Sequence, residues 1–199
     1  MEEGEAEKYS PDQQERLNRS RTSIRAVLPA PGGGRIVTMG FPGLAFDAAG
    51  AVIFEPERMR ATLGDAALEQ ARILIVLVEP EEVPEGALEA IGAFCAGRGL
   101  ALAHLPIRDY QVPGRRFAAG WAAAQAQMAA ALVAGATVGL SCHYGAGRSG
   151  MIAAALLIDR GLTAEAAVAQ VRAQFPDSIE TEAQMGWLEA RARGQDGPR

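Results

Sequence analysis

From Arg35 onward, short apolar runs of strand length alternate with longer stretches of helix spacing. The runs are Arg35-Ile36-Val37-Thr38-Met39, Ile73-Leu74-Ile75-Val76-Leu77-Val78, Leu100-Ala101-Leu102-Ala103-His104-Leu105 and residues 136–141. Helical patterns cover 57–69, 86–97 and 116–133, and three more follow at 149–160, 163–175 and 181–193. Gly135 ends the Ala-rich third helix through Trp121, and Pro176 stops the fifth. A strand covered on both faces reads as a continuous apolar run, and strands separated by helices pair in parallel. The pattern predicts a single α/β domain with a largely parallel central sheet flanked by helices, over residues 35–193.

Composition narrows the function classes. The chain has 199 residues, 49% of them apolar, enough to bury a full core. Its net charge of -5 leaves no basic surplus to neutralise phosphates, which argues against a nucleic-acid or anionic-membrane partner. The longest apolar run, 151–158, is too short to span a bilayer, and Met1-Glu2-Glu3-Gly4-Glu5 lacks the basic start of a signal peptide. Two cysteines, Cys95 and Cys142, cannot build a disulfide scaffold, so a cytoplasmic protein is expected. Residues 1–34 show no apolar period before Ile24 and end in Pro31-Gly32-Gly33-Gly34; they read as a mobile or loosely docked arm, and 194–199 as a frayed tail. Oligomeric state is not readable.

The chemistry concentrates in Ser141-Cys142-His143-Tyr144-Gly145-Ala146-Gly147-Arg148-Ser149-Gly150, between a predicted buried strand and a predicted helix. Ligands bind at that junction in open parallel sheets. Backbone N–H groups of the loop from His143 to Gly147, together with the positive helix end, make an anion cradle. Gly145 and Gly147 let the chain approach the anion, and Arg148 offers a planar fork to two oxygens. Cys142 stands at its mouth. Free thiols ionise near about 8.5, and helix N-termini or cations bring this to about 3.5–7.5, so Cys142 is expected as a nucleophilic thiolate.

Cys142, five residues and then Arg148-Ser149-Gly150 resembles the phosphate-binding loop of the cysteine-dependent protein tyrosine and dual-specificity phosphatases. Leu105-Pro106-Ile107-Arg108-Asp109-Tyr110-Gln111-Val112-Pro113 is similar to their general-acid loop, with Asp109 four residues before Pro113. The stretch from Ile73 to Pro113 resembles most the cyclin-dependent-kinase-associated phosphatase branch. So does Ile179-Glu180-Thr181-Glu182-Ala183-Gln184 followed by Trp187-Leu188. The family's histidine before the cysteine is Ser141 here.

The resemblance implies a dual-specificity-phosphatase-like fold and a metal-independent, cofactor-free hydrolysis of phosphorylated proteins or other phosphomonoesters through a cysteinyl-phosphate. Cys142 is then the nucleophile, Arg148 and the amides of His143, Tyr144, Gly145, Ala146 and Gly147 hold the phosphoryl oxygens, Asp109 is general acid and base, and Ser149 eases sulfur departure. Gln184 is either an active-site residue or one half of a helix capping box with Thr181.

Competing readings also have residues behind them. Gly145 to Gly150 fits a dinucleotide fingerprint, but Glu165, at the acidic position, falls in a helical pattern. A zinc site from Cys95, His104, Cys142 and His143 would take half its ligands from the anion loop itself. Cys95 reads as a core residue, with a resolving thiol for Cys142 as the other reading. His104 reads as a strand-end residue with a satisfied ring, and Arg115 and Arg116 as a solvated helix start. A phosphate-recognising pseudophosphatase is the alternative from another function class.

Overall fold

The computed structural model describes residues 10–194. Its strands are β1 (Ile24–Pro29), β2 (Arg35–Met39), β3 (Leu44–Phe46), β4 (Val52–Phe54), β5 (Ala71–Val76), β6 (Ala101–His104) and β7 (Thr137–Ser141). The α-helices are α1 (Pro11–Arg19), α2 (Pro56–Leu63), α3 (Ala87–Gly97), α4 (Arg115–Val133), α5 (Gly147–Asp159), α6 (Ala164–Gln174) and α7 (Glu182–Ala192). The four apolar runs are thus β2, β5, β6 and β7, and the expected α/β domain is the one found.

Five strands form one sheet in the order β1-β2-β7-β5-β6. β1 runs antiparallel to β2, and every other pairing is parallel. Ser141 is in register with Met39 on one side and Val76 on the other, so β2, β7 and β5 end level at one edge. β7, buried at all its residues, aims its following loop into the middle of that edge.

Each face has its own core. Ile36, Ile75, Val138 and Leu140 pack with Met128 and Leu132 of α4 and with Ile152 of α5. Val37, Met39, Leu74 and Val76 pack instead with Met59 and Leu63 of α2 and Ile91 of α3. α5 is buried from Gly147 to Leu157, under α6 and α7, which is why its sequence is apolar all round instead of amphipathic.

The arm is where expectation and structure part. Residues 10–34 hold α1 and β1, while 1–9 of the arm and 195–199 of the tail lie outside the described residues. α1 docks largely through polar groups. Asn18 exchanges two hydrogen bonds with the Phe46 backbone, Arg58 donates to the Leu17 carbonyl, and Leu17 is its one buried apolar side chain among the described residues. Such docking leaves no apolar period to read. The glycines at 32–34 are a turn rather than a linker. Gly34, at φ +74°, lies so close to α4 that a Cβ would fall 2.7 Å from the Ala136 carbonyl and 2.9 Å from Leu132 Cα.

Two smaller departures have local causes. β3 and β4 form a hairpin whose three-residue strands are too short to show alternation, closed by Asp47 Oδ1 accepting from the Ala49 and Ala51 amides. The helix expected over 57–69 stops at Leu63. Beyond Gly64, Asp65 caps a separate 3-10 turn at Ala66–Leu68. Leu17→Ala is expected to cost about 2 kcal/mol in a denaturant titration, as for other buried leucines; an undocked arm would leave the midpoint unmoved.

Candidate active site

Neighbouring strands hold the loop after β7 by its backbone. The Cys142 amide donates to the Met39 carbonyl at 3.2 Å, Phe41 donates to the His143 carbonyl at 3.0 Å, and Leu77 donates to the Ser141 carbonyl at 2.8 Å. Ser141 Oγ adds a 3.4 Å contact to the Gly40 carbonyl, so the buried position before the cysteine serves as an anchor. Gly145 sits at φ +95°, and a Cβ there would fall 2.5 Å from the Gly40 amide nitrogen. Only glycine fits both that backbone conformation and that approach.

Cys142 is 2% exposed. Its Sγ accepts the Gly145 N–H at 3.2 Å and lies 3.3 Å from Ser149 Oγ on the first turn of α5. The Gly147, Arg148 and Ser149 amides, at the start of that helix, have no intrahelical acceptor and carry its positive end.

Arg148 is buried to 1% exposure and surrounded by acceptors. Glu82 grips it with both oxygens, Oε2 on Nη1 at 2.6 Å and Oε1 on Nη2 at 2.8 Å. Nη1 also donates to the Ile107 carbonyl at 2.9 Å, and Nη2 lies 3.0 Å from Asp109 Oδ1. Nε has no hydrogen-bond partner, although it is buried. Burial works against the charge, but the Glu82 hydrogen bonds and the negative charges of Cys142, Glu82 and Asp109 outweigh it and hold Arg148 above the usual arginine value. Three guanidinium protons are committed to hydrogen bonds, and the buried Nε–H is a donor in want of an acceptor.

The sequence reading missed Glu82. It lies in a short 3-10 turn, Pro80–Glu82, where the Glu79 amide donates to its Oε2 at 2.7 Å. A buried arginine in the first turn of the helix after β7 demands a carboxylate, and an adjacent strand end can supply it. The acidic stretch Glu79-Pro80-Glu81-Glu82 after β5 was the available source.

No protein-family model matches the chain, and no curated protein does. Solved structures do. Tk-PTP in its active form is 23% identical with a TM-score of 0.59, covering 87% of this chain and 96% of that one. Kinase-associated phosphatase (KAP), with its catalytic-site cysteine substituted by serine, is 17% identical with a TM-score of 0.67, covering 88% and 98%. Human DUSP28 is 20% identical with a TM-score of 0.56, covering 88% and 96%. The chain has the fold of the dual-specificity and tyrosine phosphatases.

Within this phosphatase fold the sequence-predicted residues fall into two groups. Cys142, Gly145, Arg148, Ser149 and Asp109 meet at one edge of the sheet, with Ala146 capping α5 and Gly147 opening it. Gln184 is fully buried beside them. Its Oε1 accepts the Glu180 amide at 2.8 Å, and its own amide donates to Thr181 Oγ1 at 3.2 Å. Its Nε2 has no partner and lies 3.2 Å from where a Gly147 Cβ would be. Gln184 is thus half of a cap, shifted by one residue, and its Nε2 faces Gly147 of the loop.

The remaining side chains lie outside the contacts just described. Tyr144 turns its ring into the β2 side of the core, 5.8 Å from the Phe175 ring and under the Arg25 guanidinium at 5.2 Å. His143 is 4% exposed. His104 Nε2 donates to the Val78 carbonyl at 2.8 Å, while Arg115 and Arg116 are solvated at the start of α4. Among the described residues, no group of three or more His, Cys, Asp or Glu side chains is arranged to hold a metal ion, and no helix is long and apolar enough to cross a membrane.

Cys95 packs in the α2–α3 core cluster, whereas Cys142 belongs to the cluster on the other face. Burial pushes the Cys95 thiol up to about 11, with the charge of Arg98 offsetting part of the effect. An unfolded thiol ionises near about 8.5, so Cys95 contributes stability that is complete below that pH and is lost as pH rises toward its folded value. In the native protein at pH 8, iodoacetamide should leave Cys95 unmodified until denaturant is added, as peptide mass mapping would read; native labelling would contradict this burial.

Proposed function

We propose that this chain is a cysteine-dependent phosphomonoester hydrolase of the protein tyrosine and dual-specificity kind. The observation that carries this is the pairing of Cys142 Sγ, hydrogen-bonded by the loop, with a buried Arg148 whose Nε–H has no acceptor. A phosphoryl oxygen supplies that acceptor. Bidentate binding through Nε and Nη2 would draw Nη2 away from Asp109, which then faces the leaving group.

In this reading Cys142 Sγ attacks phosphorus while the bond to the leaving oxygen breaks and Asp109 gives that oxygen its proton. The loop amides and Arg148 hold the three equatorial oxygens as charge develops. Water then attacks the thiophosphoryl phosphorus and gives a proton to the Asp109 carboxylate. Phosphate leaves, and Cys142 departs as a thiolate stabilised by the Ser149 hydroxyl. Gln184 Nε2, unpartnered beside Gly147, is suited to orient that water or a phosphoryl oxygen. Glu82 keeps the guanidinium in plane and leaves the reacting atoms alone.

The substrate class that fits is a phosphorylated protein. The loop's variable positions, His143, Tyr144 and Ala146, bring no Lys or Arg to meet a second or third phosphate. A free nucleophilic thiol also suits a reducing cytoplasm.

The test is hydrolysis of p-nitrophenyl phosphate in the presence of a chelator. Turnover should persist with chelator and vanish in Cys142→Ser. Asp109→Asn should lower kcat by about 10²–10⁴, the usual worth of general acid–base help, with little change in substrate binding, and should remove the alkaline fall of the parent's pH profile. Chelator-sensitive turnover, or full activity in Cys142→Ser, would overturn the reading. Tight phosphopeptide binding by a parent that never turns over would make the chain a binding module instead.

A further inference from the structure

The general-acid loop is held at a point the mechanism above does not use. Tyr110, next to Asp109, has φ +59°, a left-handed conformation unfavourable for a non-glycine residue, and it is 45% exposed. Such backbone persists only where its surroundings hold it. The Gln111 amide closes a turn onto the Arg108 carbonyl at 3.0 Å, and Asp109 reaches Arg148. A further tether for this turn comes from 71 residues away: Thr181 Oγ1 donates to the Tyr110 carbonyl at 3.3 Å.

Thr181 is itself fixed. It caps α7 by accepting the Gln184 amide at 3.2 Å, so its one hydroxyl proton is left to point at Tyr110. The preceding segment is clamped by Arg172, whose Nε and Nη2 donate to the Ser178 and Ile179 carbonyls at 3.0 and 2.8 Å. Ile179, also at positive φ (63°), donates its amide to the carbonyl of Ala146, the residue that caps α5. A continuous run of contacts therefore leads from the start of α5 to the loop carrying Asp109.

We infer that Thr181 is a positioning residue: its hydroxyl pins Tyr110 in the left-handed conformation and thereby holds Asp109 over the leaving group of a substrate on Cys142. The inference rests on the phosphatase reading for its catalytic consequence, but not for the tether itself. Substitution by apolar residues would confound the tether with loss of the helix cap. Thr181→Asp separates them, because a carboxylate still caps α7 yet has no proton to donate to a carbonyl. Thr181→Ser and Thr181→Asn keep both an acceptor and a donor.

Hydrogen exchange of the Gln111 amide reads the tether in the whole chain, whether or not it turns over phosphate. Exchange should quicken roughly fivefold in Thr181→Asp, the loss of one net hydrogen bond, and stay at the parent rate in Thr181→Ser and Thr181→Asn. With a general acid displaced, phenyl phosphate, which needs a proton on its leaving oxygen, should lose about fivefold more kcat/KM than p-nitrophenyl phosphate, which needs it less. Charge added by the aspartate acts on both substrates and cancels in their ratio. Unchanged Gln111 exchange in Thr181→Asp, equal slowing of the two substrates, or the same response in Thr181→Asn would overturn the inference. A parent that hydrolyses neither ester would sink the phosphatase reading, while the exchange rates would still decide the tether.

Discussion

A guanidinium taken out of water must be met by charge and hydrogen bonds, and in this chain that requirement organises one whole edge of the sheet. Arg148 enters from the first turn of α5. Its partners come from the connection after β5, which supplies Glu82, and from the connection after β6, which supplies Ile107 and Asp109. Removing one member of a buried pair commonly costs about 3–5 kcal/mol, because the other is left uncompensated. The parallel strands ending level at that edge make the convergence possible, and the arginine makes it obligatory.

The same edge explains why the antiparallel strand belongs to the site. β1 lies at the border of the sheet, yet Arg25 within it donates from Nε to the Tyr144 carbonyl at 3.0 Å and covers the Tyr144 and Phe175 rings. Tyr144 thereby acts on the loop from behind, through packing, and leaves its front to backbone amides. A residue in the expected anion loop is here a buttress.

How much the sequence disclosed follows from the range of each interaction. Continuous apolar strands and helices bounded by glycine or proline carry their signals locally, so the sheet from β2 onward and α4 to α7 were readable within a residue or two. Cys142, Arg148 and Ser149 lie within eight consecutive positions, so their association was readable as well, whereas Asp109 was joined to them only through the family resemblance. Glu82 was not, because its role exists only once β5 stands beside β7. The docking of α1 was hidden for a related reason: Asn18 and Arg58 bond to backbone, which no pattern of side-chain polarity records. In Gly32-Gly33-Gly34, composition alone could not tell a flexible tether from a turn pressed against α4.

The placement of the two cysteines has a consequence for oxidation. α3 starts beside the edge that carries Cys142 and runs back from it, so Cys95, eight residues along, stands about 12 Å toward the opposite edge. The sheet itself separates the two sulfurs. A Cys142 converted to its sulfenic acid has no second cysteine in this chain within reach to capture it. Reversal would have to come from a thiol supplied by solution, such as a small-molecule reductant.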